Sequence, residues 1–159
     1  KRYDFLFLRG CVTLEVRKIS NSWIDDAVDL IWTTFLQFEA PDYSDEGVNS
    51  FKKFIEDENT IKKLDFFGAY ERDELTGVIA VNENRSHICC FFVKAKYQRQ
   101  GIGRMLWEHL LSISRNLIFT VNSSPYAVPF YHKLGFVDID VEQLTDGIRY
   151  TPMCFKRKI

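Results

Sequence analysis

An excess of one charge is missing from this chain: 21 Lys and Arg face 22 Asp and Glu, a formal net charge of −1. Without a basic surplus, neither a nucleic acid nor an anionic membrane is expected as a general partner. The basic ends, Lys1-Arg2 and Lys156-Arg157-Lys158, read as solvated termini. Cysteine is scarce. The four present, Cys11, Cys89, Cys90 and Cys154, have neither zinc-knuckle nor redox-motif spacing, so they read as buried reduced thiols. Proline and glycine, at 4 and 8 residues, form no linker, and no repeat or low-complexity tract occurs. A single domain is therefore expected from 159 residues, long enough to close a core. No apolar run has the length of a membrane span. The opening KRYDFLFLRGCV carries two cations ahead of Phe and Leu, but Asp4 and Arg9 bracket too short an apolar core for a signal peptide. These absences point to a cytoplasmic protein. Residues 1–11 are set apart as an N-terminal extension, and 12–159 as the domain.

What the chain does have is aromatics, at 15%, with 14 Phe among them. Such a share suits a packed α/β core or a cleft for an apolar ligand. Val12 to Arg17 alternates apolar and polar residues, the period of a half-buried strand. Ser22, with Asp25 three residues on, marks a helix start. Ile24, Ala27, Val28, Ile31, Phe35 and Phe38 come next at helical spacing, up to Pro41. A second helix is predicted after Ser44, with the stripe Val48, Phe51, Phe54 and Ile55. Phe66–Glu71 and Val78–Asn82 read as a hairpin through Arg72-Asp73-Glu74. Ile88–Val93 is a continuous apolar run, as of a strand buried on both faces, and Leu117–Val121 reads as another buried strand. Between them Gly101 to Arg115 is helical, and the change of period implies a parallel crossover. A short helix from Ser124 to Leu134 stops at Gly135; Pro129, suited to a first turn, sets the start of its regular part. Strands near Phe136–Asp140 and Tyr150–Lys156 close a β-α-α-β-β-β-α-β-α-β-β order, a mixed α/β sheet flanked by helices.

The turn Gln98-Arg99-Gln100-Gly101-Ile102-Gly103 lies between a strand and an amphipathic helix. Glycines there allow a sharp turn and close backbone approach, and the open N–H groups of the helix start attract an anion. A phosphate is therefore expected near Arg99 to Arg104. A Walker A loop is absent, and the third glycine of a dinucleotide fingerprint is replaced by Leu106.

The run FFVKAKYQRQGIGRML, Phe91 to Leu106, resembles motif A of the GNAT superfamily of N-acetyltransferases. The run VNSSPYAVPFYHKLGF, Val121 to Phe136, resembles its motif B. The resemblance covers Val12 onward in outline and implies a GNAT-like fold that uses acetyl-CoA as cosubstrate. It implies that the amides of Arg99, Gln100, Gly101, Ile102, Gly103 and Arg104, with Gln98 leading the turn, hold the pyrophosphate. Phe91, Phe92 and Val93 would pair with the pantetheine arm, the Val93 amide facing the thioester oxygen, and Asn122 would contact the arm. Tyr131 would protonate the departing thiolate. Motif A often has Pro where Ala95 stands here; that Pro has no chemical role.

The general base is not evident. The strand leading to Phe91 reads Ser86-His87-Ile88-Cys89-Cys90, without a carboxylate. His87 shares the parity of Phe91 and Val93, and its pKa suits the task. Glu39, Asp42 and Tyr43, between the first two helices, are candidates to bind the acceptor amine; a solvated acidic loop is the alternative. His109 and His132 lack partners at ligand spacing, so no metal site is expected. The expected reaction is acetyl transfer by direct attack of an amine, with a small-molecule acceptor. A protein-directed acetyltransferase and an inactive acyl-CoA sensor are the rivals, and pairing with a second copy to form a homodimer is compatible with either.

Overall fold

A computed structural model describes residues 5–9 and 12–158; Lys1, Arg2 and Cys11 lie outside the described residues. The first strand, Phe5–Arg9 (β1), pairs antiparallel with Val12–Lys18 (β2). Part of the expected extension is thus an edge strand of the sheet. A single turn of 3-10 helix, Asn21–Trp23, then leads into helix α1, Ile24–Phe38. The expected cap does not form: Trp23 holds the cap position without a side-chain bond, and the Ser22 hydroxyl instead meets Ser20 Oγ at 3.1 Å. Helix α2, Asp45–Glu56, starts as read, with Ser44 Oγ accepting from the Gly47 amide at 3.3 Å. The short helix α3, Glu58–Lys62, is additional; the Asp57 side chain caps it by accepting from the Asn59 amide.

Strands β3 (Asp65–Glu71) and β4 (Glu74–Val81) form the hairpin. Its loop is only Arg72-Asp73, both at positive φ (49° and 64°), the geometry of a tight two-residue turn. Strand β5 (His87–Val93) comes next, then helix α4 (Ile102–Ile113) and strand β6 (Ile118–Ser123). The β5–β6 pair is parallel, as the crossover required. Neither strand is buried on both faces. In β5 burial alternates, and in β6 Ile118 and Asn122 are exposed. Helix α5 is Val128–Leu134, with Pro129 in its first turn and Gly135 at φ 103° as its cap. Strands β7 (Val137–Asp138), β8 (Gln143–Thr145) and β9 (Ile148–Lys156) complete the chain; β8 was not read from the sequence.

The sheet order is β1-β2-β3-β4-β5-β6-β9-β7, with β8 pairing off β9. Helices cover both faces. On one, α4 and α5 bring Ile102, Leu106, Leu110 and Tyr131 onto Val16, Ile79, Phe119 and Met153. On the other, α1 and α2 bring Leu30, Ile31, Phe35 and Ile55 onto Phe66, Val78, Cys90 and Phe92. No described helix is long and apolar enough to cross a membrane.

Two irregularities position the site. The β4–β5 register runs Ala80 opposite Cys90 and then Val81 opposite Ile88, so Cys89 is an inserted residue. The bulge reverses the alternation: Ile88 packs on the α4 side with Phe91 and Val93, whereas Cys90 and Phe92 face α1. The simple parity that grouped His87 with Phe91 and Val93 is therefore broken. Furthermore, β5 and β6 pair at only two positions, His87 with Thr120 and Ile88 with Val121. Beyond them the strands part.

Candidate active site

The parting of β5 from β6 leaves the far half of β5 with one free edge. Lys94 N donates to Thr76 O at 2.9 Å, so the Val93–Gly77 pair is a non-hydrogen-bonded one. Alternation then turns the polar backbone of Val93, and of Phe91 two residues earlier, away from β4 and toward the gap. Gln98 Nε2 already donates to Val93 O at 3.0 Å, and Tyr126 Oη donates to Gln98 Oε1 at 3.1 Å. Gln98 thus ties the end of β5 to the β6–α5 loop, and the Val93 amide faces the gap.

Two cavities occupy the gap. The first, about 470 Å³, runs over the start of α4 and is lined by Phe91, Phe92, Val93, Gln98, Arg99, Gly101, Ile102, Gly103 and Arg104. Gly101 stands at the helix cap with φ 85° and makes no side-chain cap bond, so the first amides of a 12-residue helix are left open to the cleft. Arg99, at φ 61°, carries the preceding turn. Arg104 and Lys133 add positive charge to the rim, linked by an Arg104 Nη2 to Lys133 O bond of 3.2 Å. A nucleotide pyrophosphate fits this donor set. Gly103 has a second reason to be glycine: a Cβ there would stand 2.7 Å from Phe130 Cζ, so it also lets α4 and α5 pack closely. Gln100 is turned away, its Nε2 donating to Lys96 O at 3.2 Å.

The second cavity, about 490 Å³, lies on the α2 side and is lined by Tyr43, Phe51, Phe54, His87, Cys89, Asn122, Tyr131 and Tyr150, among others. Asn122, read as a contact of the cofactor arm, lies here and not in the first cavity. His87 Nδ1 is 2.7 Å from Thr120 Oγ1, and burial lowers its pKa. Asp42 lines neither cavity; its carbonyl accepts from Arg149 Nη1 at 3.4 Å.

Glu39, Phe91, Phe92 and Ala127 line both cavities. Glu39 closes α1 just before Pro41, and Ser124 Oγ donates to its Oε1 at 3.0 Å. Desolvation raises its pKa from 4.5 to about 7, the Ser124 bond pulls the other way, and the Asp42 charge adds to the rise. Glu39 is thus a carboxylate poised near neutrality where the two cavities meet. Read from sequence only as an acceptor contact, it places beside both cavities a carboxylate of the kind that β5 lacks. No local signal marks it, because Ser124 is 85 residues away.

Tyr131 is 4% exposed, with rings of Phe91, Phe130 and Phe136 against its own. Burial, with the charges of Glu39 and Cys90, pushes its phenol well above its usual pKa, so it stays protonated. Tyr43 is also raised, chiefly by burial. Among the described residues no group of three or more His, Cys, Asp or Glu is placed to hold a metal.

A helix start with open amides, a half-paired strand and a carboxylate between two cavities are the parts a group-transfer enzyme needs. The chain belongs to the GNAT acetyltransferases: the model of the acetyltransferase (GNAT) domain matches residues 39–157. It is 36% identical over 67 residues to the peptidyl-lysine N-acetyltransferase YjaB of Salmonella typhimurium, covering 42% of this chain and 45% of that one. The match thus spans under half of that relative's length. Among solved structures, the GCN5-related N-acetyltransferase of Rhodopseudomonas palustris aligns with TM-score 0.77 at 20% identity, covering 89% of this chain and 94% of that one. The PaiA N-acetyltransferase of Thermoplasma acidophilum, in complex with coenzyme A, aligns with TM-score 0.73 at 20% identity over 91% and 99%. At such identity these two speak for the fold.

Proposed function

We propose that this protein transfers the acetyl group of acetyl-CoA to a primary amine by direct attack, with Glu39 as the base and Tyr131 as the acid. The observation that carries the reading is Glu39, raised to about 7 and shared by both cavities. The open amides of α4 receive the pyrophosphate, and the free edge of β5 receives the arm. The Val93 amide meets the carbonyl oxygen as it gains charge. Glu39 takes the proton the attacking amine must lose, and Tyr131 supplies one to the sulfur that leaves. The free thiols of Cys89, Cys90 and Cys154 suit a reducing compartment such as the cytoplasm.

The name of the Salmonella relative favours a second acceptor, a lysine of a peptide, through the same chemistry. A sensor without turnover has no use for a carboxylate held near neutral pH beside the cleft. The test is Glu39→Gln. CoA affinity by calorimetry should hold, while kcat/KM falls by ~10²–10⁴ and loses its acid limb near pH 7. A variant that kept both the wild-type rate and that limb would remove Glu39 from the mechanism.

A further inference from the structure

We infer that the second cavity selects an amine carried on an apolar, ring-sized body. The inference rests on the transferase reading, in which the amine sits at Glu39. The remainder of the cavity supports it.

Of the α2 stripe Val48, Phe51, Phe54 and Ile55, only Ile55 is buried in the core. Phe51 and Phe54 stay half-buried because they wall this cavity. Rings left partly open in a concave site are the signature of a ligand with an apolar part. The rings are continuous. Phe54 lies 6.2 Å from Phe51, which stacks on Phe35 at 4.0 Å and stands 6.0 Å from Phe92, a residue of both cavities. This aromatic path runs from the α2 wall to the place where Glu39 waits. Tyr150 lines the cavity from the hairpin side, its hydroxyl donating to Gln143 Oε1 at 3.3 Å.

The charges of the lining admit an amine. Among the described residues no Lys or Arg lines the cavity, so an ammonium meets no repulsion there. Its lining carboxylates are Glu39 at the inner end and Asp146, exposed at the tip of the β8–β9 hairpin. Between them stand the rings of Tyr43, Phe51, Phe54 and Tyr150, together with polar side chains such as Ser50, Asn122 and Thr145. A polyamine reaching from Glu39 to Asp146 would lay only methylenes against the rings between them, where a ring-sized body stacks on them. A lysine stem is apolar as well, but its slender chain of methylenes offers the rings no flat face to stack on.

The probes are 2-phenylethylamine, spermidine and a short lysine peptide. Each is assayed with acetyl-CoA for turnover and by calorimetry for binding to the CoA-saturated protein. 2-Phenylethylamine should lead in kcat/KM by roughly tenfold or more, the scale on which an apolar pocket discriminates. Phe54→Ala and Tyr150→Ala should each reduce that advantage by roughly tenfold, with CoA affinity unchanged; if one variant fails to fold, the other decides. Spermidine or the peptide performing as well as 2-phenylethylamine overturns the inference and leaves the transferase standing. The transferase reading alone fails if 2-phenylethylamine binds, and binds weakly to Phe54→Ala, yet no amine turns over. Absence of 2-phenylethylamine binding refutes the cavity assignment outright.

Discussion

Gly47→Ala tests whether the acceptor cavity is closed by a rigid contact between α2 and the β8–β9 hairpin. Gly47 is in the first turn of α2 and is buried against Gly147, which turns the hairpin at φ 78°. A Cβ on Gly47 would sit far inside contact distance of the Gly147 carbonyl oxygen and 2.6 Å from the carbonyl carbon. Both obstacles are backbone, so no rotamer relieves them, and the turn must retreat by about 1 Å. That retreat strains the Ser50 Oγ to Asp146 O bond of 2.8 Å and moves Thr145, Ile148 and Tyr150, which wall the cavity. Overpacking of this kind costs ~1–3 kcal/mol, and the helix preference for Ala over Gly returns up to ~1 kcal/mol. A net loss of about 1 kcal/mol is expected, or ~2–4 °C in Tm for a chain of this size. Acceptor KM should rise several-fold, while CoA affinity, set on the other side of Glu39, stays put. Thermal melting, calorimetry with CoA and steady-state kinetics read the three quantities. A variant that melts higher than wild type with the same acceptor KM would mean that the hairpin has slack and that the contact does not shape the cavity.

Tyr131→Phe keeps the buried ring and its packing but removes the acid, so turnover should fall toward the low end of ~10²–10⁴ with CoA affinity unchanged. Because burial holds the phenol far above its usual range, Tyr131 should contribute no basic limb below about pH 10, the ordinary phenol value, and such a limb lost in the variant would contradict that environment. His109 is 5% exposed on α4, its Nδ1 has no hydrogen-bond partner, and burial with the nearby Arg85 charge lowers its pKa. The unfolded chain therefore binds more protons there, and this site subtracts stability as pH falls below about 6.5, where an unfolded histidine charges. Glu39 acts in the opposite sense between about pH 7 and 4.5, so the informative quantity is the difference between His109→Leu and wild type. Urea denaturation at about pH 7.5 and about pH 5, on either side of that histidine value, should show the variant gaining relative stability in acid; a difference independent of pH would mean that His109 is not held neutral.

Local patterning determined the element order from β2 to β9, the α2 cap at Ser44 and the open start of α4, since each depends on neighbours within a turn or two of chain. Elements below that scale escaped it. Strand β8 and helix α3 are too short to show a period, and β1 was hidden by its likeness to a failed leader. The bulge at Cys89 was invisible for another reason: an inserted residue exists only relative to a partner strand, and parity along one strand carries no record of it. The same holds for β5 and β6, whose apolar runs suggested burial on both faces until their divergence left room for two cavities. Motifs A and B pointed to the proposed donor half of the site, because a Gly turn with an open helix start is a property of contiguous backbone. The proposed acceptor half was decided by tertiary structure. Glu39 owes its raised pKa to burial and its anchoring to Ser124, 85 residues away, and Phe51 and Phe54 become cavity walls because the hairpin, held at Gly147, stands opposite them. A pKa near neutrality is produced by desolvation, and desolvation is fixed by the arrangement of distant segments, which no stretch of sequence contains.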